Sequence, residues 1–346
     1  MKTEFSYQQL SRKRIFIIWM AVILCIAAFA GNVLVGSSGT APVIILKGIF
    51  FPDQVDMRIR AIIWSMRLPM GIMGVLVGGA LGASGAVMQT ILNNPLASPY
   101  TLGISAGAGF GASLALLGGF GIATVLGTLL VPACAFLFAL LAGAGIYLIS
   151  IRKNFTSATM VLAGIGMVFF FQALQSFMQY IASPEALQSI VFWMFGSLQK
   201  ANWIGVFALL IVFILAFIRI LMCAWKLTAM KLGDSRACSM GVNVERLRRE
   251  MFFLISLLTA TAVAFVGSIG FIGIVGPHVA RMIVGEDQRY FMPMSALNGA
   301  ILLSVSSIIS KILVPGTIFP IGILTALIGV PFFFFLILKQ RGNQAC

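Results

Sequence analysis

Charge is scarce in this 346-residue chain: 9% of positions are Asp, Glu, Lys or Arg, against about a quarter in a soluble domain. With 60% hydrophobic residues and a mean hydropathy of +1.06, that scarcity excludes a water-soluble globule, and 29 Phe and 18 Met exclude disorder. The nine acidic residues all avoid the centres of the apolar runs, so the midplane carboxylates of an ion-coupled carrier are missing. His278 is the one histidine and cannot alone form a metal site; beside Pro277 it either gates a helix break or makes a structural hydrogen bond. Cys25, Cys134, Cys223, Cys238 and Cys346 show no C-x-x-C spacing, which excludes a zinc or disulfide framework and leaves isolated small hydrophobes. No G-x-x-x-x-G-K-[ST] occurs, so the chain cannot cradle ATP phosphates itself.

What is present is a series of apolar runs. The first, 15–35, is long enough to cross a ~30 Å hydrocarbon core and too long for the apolar core of a cleaved signal peptide. Further runs lie near 68–91, 100–119, 121–150, 156–182, 203–224, 251–273, 274–286, 293–313 and 318–338, which predicts an all-α integral membrane protein of about ten transmembrane helices. Two boundaries are soft: 117–127 holds no charge, and 274–286 is short and carries Pro277 and Arg281. Ten crossings put sixteen of the 23 basic residues inside and Lys47, Arg58, Arg60, Arg67, Lys200 and Lys311 outside, with Arg281 unassigned. The positive-inside rule therefore places both termini in the cytoplasm. A net charge of +14 dispersed between lipid-facing runs marks topology and excludes a nucleic-acid surface. The organisation expected is a cytoplasmic segment 1–14, one transmembrane domain 15–340 with a cytoplasmic loop at 226–250, and a cytoplasmic tail 341–346.

Gly74, Gly78 and Gly82 recur every fourth residue, as do Gly103, Gly107 and Gly111, the spacing that lets membrane helices approach closely. Arg67, Gly85 and Pro95 share their offsets with Arg249, Gly267 and Pro277, a faint echo of an inverted transporter repeat. Gln172, Gln175, Ser176 and Gln179 put polar groups at helical spacing on the fifth span, where they either line a path or hydrogen-bond between subunits. The loop 226–250 reads as two short helices joined at Gly233 and Gly241, with Asp234 placed to cap the helix 235–240.

The run RLPMGIMGVLVGGALGASGAVMQTILNNPLASPYTLGISAGAGFGA (67–112) resembles the signature of the FecCD family, the permease subunits of ABC importers for iron chelates, haem and vitamin B12. LGDSRACSMGVN (232–243), GSIGFIGIVGPHVARMIVGEDQR (267–289) and PIGILTALIGVPFF (320–333) resemble the family's later motifs in order and spacing, so the resemblance covers roughly 15–340. It implies an ABC importer permease of the large, type II class in a bacterial or archaeal cytoplasmic membrane. It further implies a second permease subunit, identical or a close paralogue, two ATPase subunits that hold ATP and magnesium, and a periplasmic or lipoprotein substrate-binding protein. Leu232, Gly233, Asp234, Ser235, Arg236, Ala237 and Gly241 match the family's coupling helices. Arg67 and Lys311 match positions that dock the binding protein, with Arg58 and Arg60 nearby; the alternative for Arg67 is a snorkelling anchor at the membrane surface. Met70 and Ile318 depart from the polar residues common there. No cofactor is expected in this chain, and ferric siderophore is the cargo class the resemblance favours.

Overall fold

In lipid every backbone group must find its partner inside its own segment, so the apolar runs fold as helices and the polar residues fall at their ends. The computed structural model describes residues 2–36, 39–119, 125–313 and 317–342. In chain order the helices are α1 (Lys2–Leu34), α2 (Pro42–Phe50), α3 (Met57–Ile62), α4 (Leu68–Ile91), α5 (Ile104–Leu117), α6 (Val125–Ile151), α7 (Ser157–Ile181) and α8 (Pro184–Met194). They continue as α9 (Trp203–Met222), α10 (Ala224–Met230), α11 (Asp234–Ser239), α12 (Val244–Val266), α13 (Ile272–Val284), α14 (Gln288–Ile312) and α15 (Ile321–Gly342). Side-chain oxygens of Thr156, Ser183, Asn202, Asn243 and Asp287 accept from the first-turn amides of α7, α8, α9, α12 and α14, which fixes where each helix begins.

Seven helical spans are long and apolar enough to cross a bilayer, and three shorter apolar helices, Ile104–Leu117, Ile272–Val284 and Ile321–Phe332, bring the described crossings to the ten expected. At 1.5 Å per residue, α5 and α13 reach only about 20 Å, so each needs a non-helical approach within the protein. Several expected boundaries move. The second span begins at Met57, because α3 runs through a π turn at Ile63–Arg67 into α4, and the seventh begins at Val244 rather than 251. Residues 2–14 of the expected cytoplasmic segment are helical and continue into the first span as α1. The soft boundary at 117–127 falls partly on 120–124, and most of the tail on 343–346, outside the described residues.

α4 is the axis of the molecule: it is buried along almost its whole length, whereas most of α7 is exposed or half-buried. Its small residues explain this. A Cβ at Gly78 would stand 2.3 Å from the Gly299 carbonyl oxygen, at Gly82 2.3 Å from that of Ser295, and at Gly85 1.9 Å from that of Gly273, so α13 and α14 lie backbone to backbone on α4. Gly107 and Gly111 play the same part between α5 and α6, where a Cβ would meet the carbonyls of Phe138 (2.6 Å) and Cys134 (2.3 Å). The first glycine of each triplet differs. Gly74 faces side chains of Asn32, Leu198 and Ser304, and Gly103 is the N-cap of α5 with φ +86°. The echoed offsets do not mark equivalent places: Gly85 lies inside α4, whereas Gly267 terminates α12 with φ +78°.

Candidate functional site

The inner knob consists of α10 and α11. Gly233 precedes α11 with φ +97° and ψ +154°, a region open essentially to glycine alone, and Gly241 follows it with φ +80°. No atom lies within 4 Å of a Cβ built on either, so backbone sign and not space requires glycine there. Ala237 anchors the helix in the core, while Leu232, Ser235, Arg236 and Met240 point outward. Exposed Leu232 and Met240 on an otherwise polar loop give the knob an apolar contact face.

Asp234 does not cap α11. It is the first residue of the helix, and its carboxylate accepts from the Arg248 Nη2 at 2.8 and 3.0 Å. Arg248, 3% exposed, also donates from Nε to the Ile91 carbonyl (2.8 Å) and from Nη1 to the Phe155 carbonyl (3.0 Å). One guanidinium therefore ties the knob to the end of α4 and to the α6–α7 turn. That turn is held tightly: Phe155 has φ +52°, unusual for a bulky residue, and its ring is buried against Tyr147 and Phe252. In the sequence Arg248 is one of several basic residues on the inner side, with no motif of its own to distinguish it. Its signal is helical phase, since Val244, Leu247, Met251 and Ile255 define the buried stripe of α12 and residue 248 falls on it.

Further ion pairs belt the same end. Arg281 and Lys231 both reach Glu286 (3.0 and 3.4 Å), which assigns Arg281 to the inner side, and Arg281 also donates to the Gln89 amide oxygen (2.9 Å). Arg219 pairs with Glu250 (2.5 Å). Asp287 takes Arg289 at 2.6 Å; burial pushes its carboxyl up, but hydrogen bonds from Arg289 and the charges of Arg289 and Arg14 outweigh this and hold it below the ordinary carboxylate range.

At the outer end, Arg67 and Lys311 are buried, 6% and 5% exposed, and act on the end of α1. Arg67 donates to the carbonyls of Val33 (3.1 Å) and Leu34 (2.9 Å), and Lys311 to the Asn32 carbonyl (2.5 Å) and side-chain oxygen (2.6 Å). With the Val35 amide on Gly31, the four carbonyls a helix leaves without partners are all satisfied, three of them by cations suited to the negative pole. The same two residues line a pocket of about 280 Å³ together with Met70, Gln199 and Ile318. The four positions marked in the sequence, two matching docking residues and two departures, thus converge on one site. Arg58 and Arg60 are exposed to one side, Arg60 paired with Asp53 at 2.8 Å.

The polar stripe of α7 divides. Gln172 and Gln175 line a pocket of about 130 Å³ with Tyr100, Ser105, Trp193 and Ser268. Gln179 reaches the Met194 sulfur (3.3 Å), and Ser176 is exposed. Gln175 is buried, and its amide nitrogen has no hydrogen-bond partner among the described residues.

Comparison with known proteins agrees over nearly the whole length. The model of the FecCD transport family matches residues 19–339. The chain is 39% identical over 289 residues to an ABC transporter permease protein of Methanocaldococcus jannaschii, covering 82% of this chain and 83% of that one. It is 33% identical over 333 residues to an Fe(3+)-citrate import system permease protein of Bacillus subtilis, covering 96% and 97%. Among solved structures it superposes on an ABC transporter described as metal-chelate type, in an inward-facing conformation, with a TM-score of 0.81 and 32% identity over 93% of this chain and 99% of the other.

Proposed function

The chain belongs to the FecCD transport family, as a membrane permease subunit of an ABC importer without an ATPase site of its own, and from that premise we propose that it passes a ferric siderophore across the cytoplasmic membrane of a bacterium or archaeon. The observation that carries the import reading is the placement of two unlike sites at opposite ends of one glycine-packed bundle, a pocket lined by two cations outside and a glycine-hinged knob inside, and the cargo class rests on the likeness to iron-chelate permeases.

The steps follow from those parts. A loaded periplasmic or lipoprotein binding protein sets a carboxylate in the Arg67–Lys311 pocket, with Arg58 and Arg60 adding surface attraction. Inside, Leu232 to Gly241 of each of two permease subunits, identical or paralogous, rests on one of two ATPase subunits that hold ATP and magnesium. When the ATPases close, the movement of α11 reaches α4 and the α6–α7 turn through Arg248, because its one rigid fork is bonded to all three. The direct backbone contacts of α4 with α13 and α14 let these helices shift as a unit between two packings. The passage runs beside Gln172 and Gln175, whose amides offer weak polar contacts that do not trap a large chelate.

The cargo test is uptake by a strain lacking this gene, offered labelled ferric siderophores, haem and vitamin B12 in parallel. Loss of ferric siderophore uptake alone, restored by the intact gene, is the expected result. Loss of haem or vitamin B12 uptake instead would move the cargo within the family, and loss of none would remove the cargo reading.

A further inference from the structure

α1 and α13 both pack on α14, and between them they leave an apolar groove of about 710 Å³. Its walls include Ile17 and Leu24 of α1, Val279 and Ile283 of α13, and Ile301 and Val305 of α14. The Asn298 amide in the lining already donates to the Gly276 carbonyl (3.2 Å). From Ile17 to Ala27, the reach of the groove along α1, the helix rises about 15 Å, half of a ~30 Å hydrocarbon core. The groove therefore has the depth of one leaflet. Ile17 is one turn from Arg14, and Arg14 pairs at 3.9 Å with Asp287 at the start of α14, so that leaflet is the inner one.

The inner mouth is strongly basic. Arg14 and Arg289 share the single carboxylate of Asp287, at 3.9 and 2.6 Å, and both guanidinium carbons lie 5.5 Å from the centre of the Tyr290 ring. The Ser11 hydroxyl is 2.6 Å from the Tyr290 hydroxyl. Arg12 and Lys13 are exposed, and no carboxylate among the described residues is within ion-pairing distance of either. Arg14 and Arg289 thus outnumber the carboxylate of Asp287, the neighbouring Glu286 is taken by Lys231 and Arg281, and Arg12 and Lys13 precede Arg14 on α1 at the end of the apolar channel.

We infer that this groove binds an anionic phospholipid of the inner leaflet, one acyl chain lying between α1, α13 and α14 and the phosphate meeting Arg12, Lys13 and Arg14. The chain gains from apolar contact whatever its headgroup, whereas the basic mouth rewards negative charge alone, so the site selects by headgroup. Charge complementarity at the mouth and the one-leaflet depth of the groove both favour a lipid over a protein segment.

Native mass spectrometry of the permease in its native assembly, released from nanodiscs with equal phosphatidylglycerol and phosphatidylcholine, tests this. The wild type is expected to retain phosphatidylglycerol preferentially. R12Q/K13Q, which alters only exposed side chains, should erase most of that preference, by about fivefold for each charge removed. V279F, which fills the groove, should lower retention of both lipids. Equal retention by the wild type, an unchanged preference in R12Q/K13Q, or unchanged retention of both lipids in V279F would overturn the inference. So would a disulfide cross-link between two copies carrying L24C, which would put a second permease subunit in the groove.

Discussion

At the outer end Arg67 and Lys311 donate to the last carbonyls of α1, whereas at the inner end Arg248 divides its guanidinium between two carbonyls and the carboxylate of Asp234. The difference is electrostatic. A helix terminus presents about half an elementary charge, so cations resting on it keep positive potential toward the pocket they line. A carboxylate carries a whole opposing charge, and both Asp234 oxygens accept from the single Arg248 Nη2, whose direction is set by the two carbonyls that hold the rest of the guanidinium. The outer end is thus suited to receive an acidic group from another protein, and the inner end to transmit a displacement of α11 without slack. The belt of Arg281, Lys231, Arg219 and Arg289 on Glu286, Glu250 and Asp287 extends the same rigidity around the inner face.

The largest effect should come from breaking the inner fork. Arg248→Met leaves the carbonyls of Ile91 and Phe155 buried without partners, at about 1–3 kcal/mol each, and frees α11. ATP-driven uptake in proteoliposomes should fall more than tenfold, with a lowered melting temperature for the assembly; Arg248→Lys should be intermediate, since an ammonium cannot reproduce the fork. Gly85→Ala comes next, because its Cβ would sit 1.9 Å from the Gly273 carbonyl; thermal unfolding should show a loss of about 1–3 kcal/mol, while Gly74→Ala, which meets side chains at 3.3 Å, should cost less. Gly233→Ala should lower uptake through about 1–3 kcal/mol of backbone strain, whereas Gly241→Asn, at a φ that Asn accepts, should be nearly silent in the same assay.

At the outer end the expected change is in affinity. Lys311→Gln should raise the concentration of loaded binding protein needed for half-maximal uptake by roughly tenfold, and Lys311→Arg should restore it in part. An unaltered requirement in Lys311→Gln would reduce Lys311 to a cap for α1. Asp287 gives the smallest effect. Its carboxyl is held below its ordinary value, so its stabilisation is fully present above the unfolded-state pKa of about 4 and disappears as pH falls through the lower folded value. Asp287→Asn should therefore melt slightly below the wild type at pH 7, and the gap should close in acid.

Much of this architecture was legible in the sequence because it follows from composition. Ten apolar runs with a basic bias give ten crossings, the later glycines of each every-fourth-residue series mark where backbones touch, and the family motifs brought Arg67, Met70, Lys311 and Ile318 to attention before the structure placed them in one pocket. Contacts between distant segments were not legible. The cap of α1 joins residues 33, 34 and 279 positions apart, and no local pattern encodes such a meeting. Asp234 illustrates a rule applied at the right place with the wrong partner: a carboxylate at a helix start ordinarily caps it, but a buried guanidinium fourteen residues on offers a charge-assisted, two-point bond that the amides cannot match.

The claim that the Asp234–Arg248 pair carries movement from the knob into the bundle is tested most directly by a double-mutant cycle on ATP-driven uptake in proteoliposomes. Arg248→Met and Asp234→Asn should each depress uptake, and the double variant should be no worse than Arg248→Met alone, because the second change removes a partner already lost. Losses that multiply in the double variant would show the two residues acting separately and would contradict transmission through this pair.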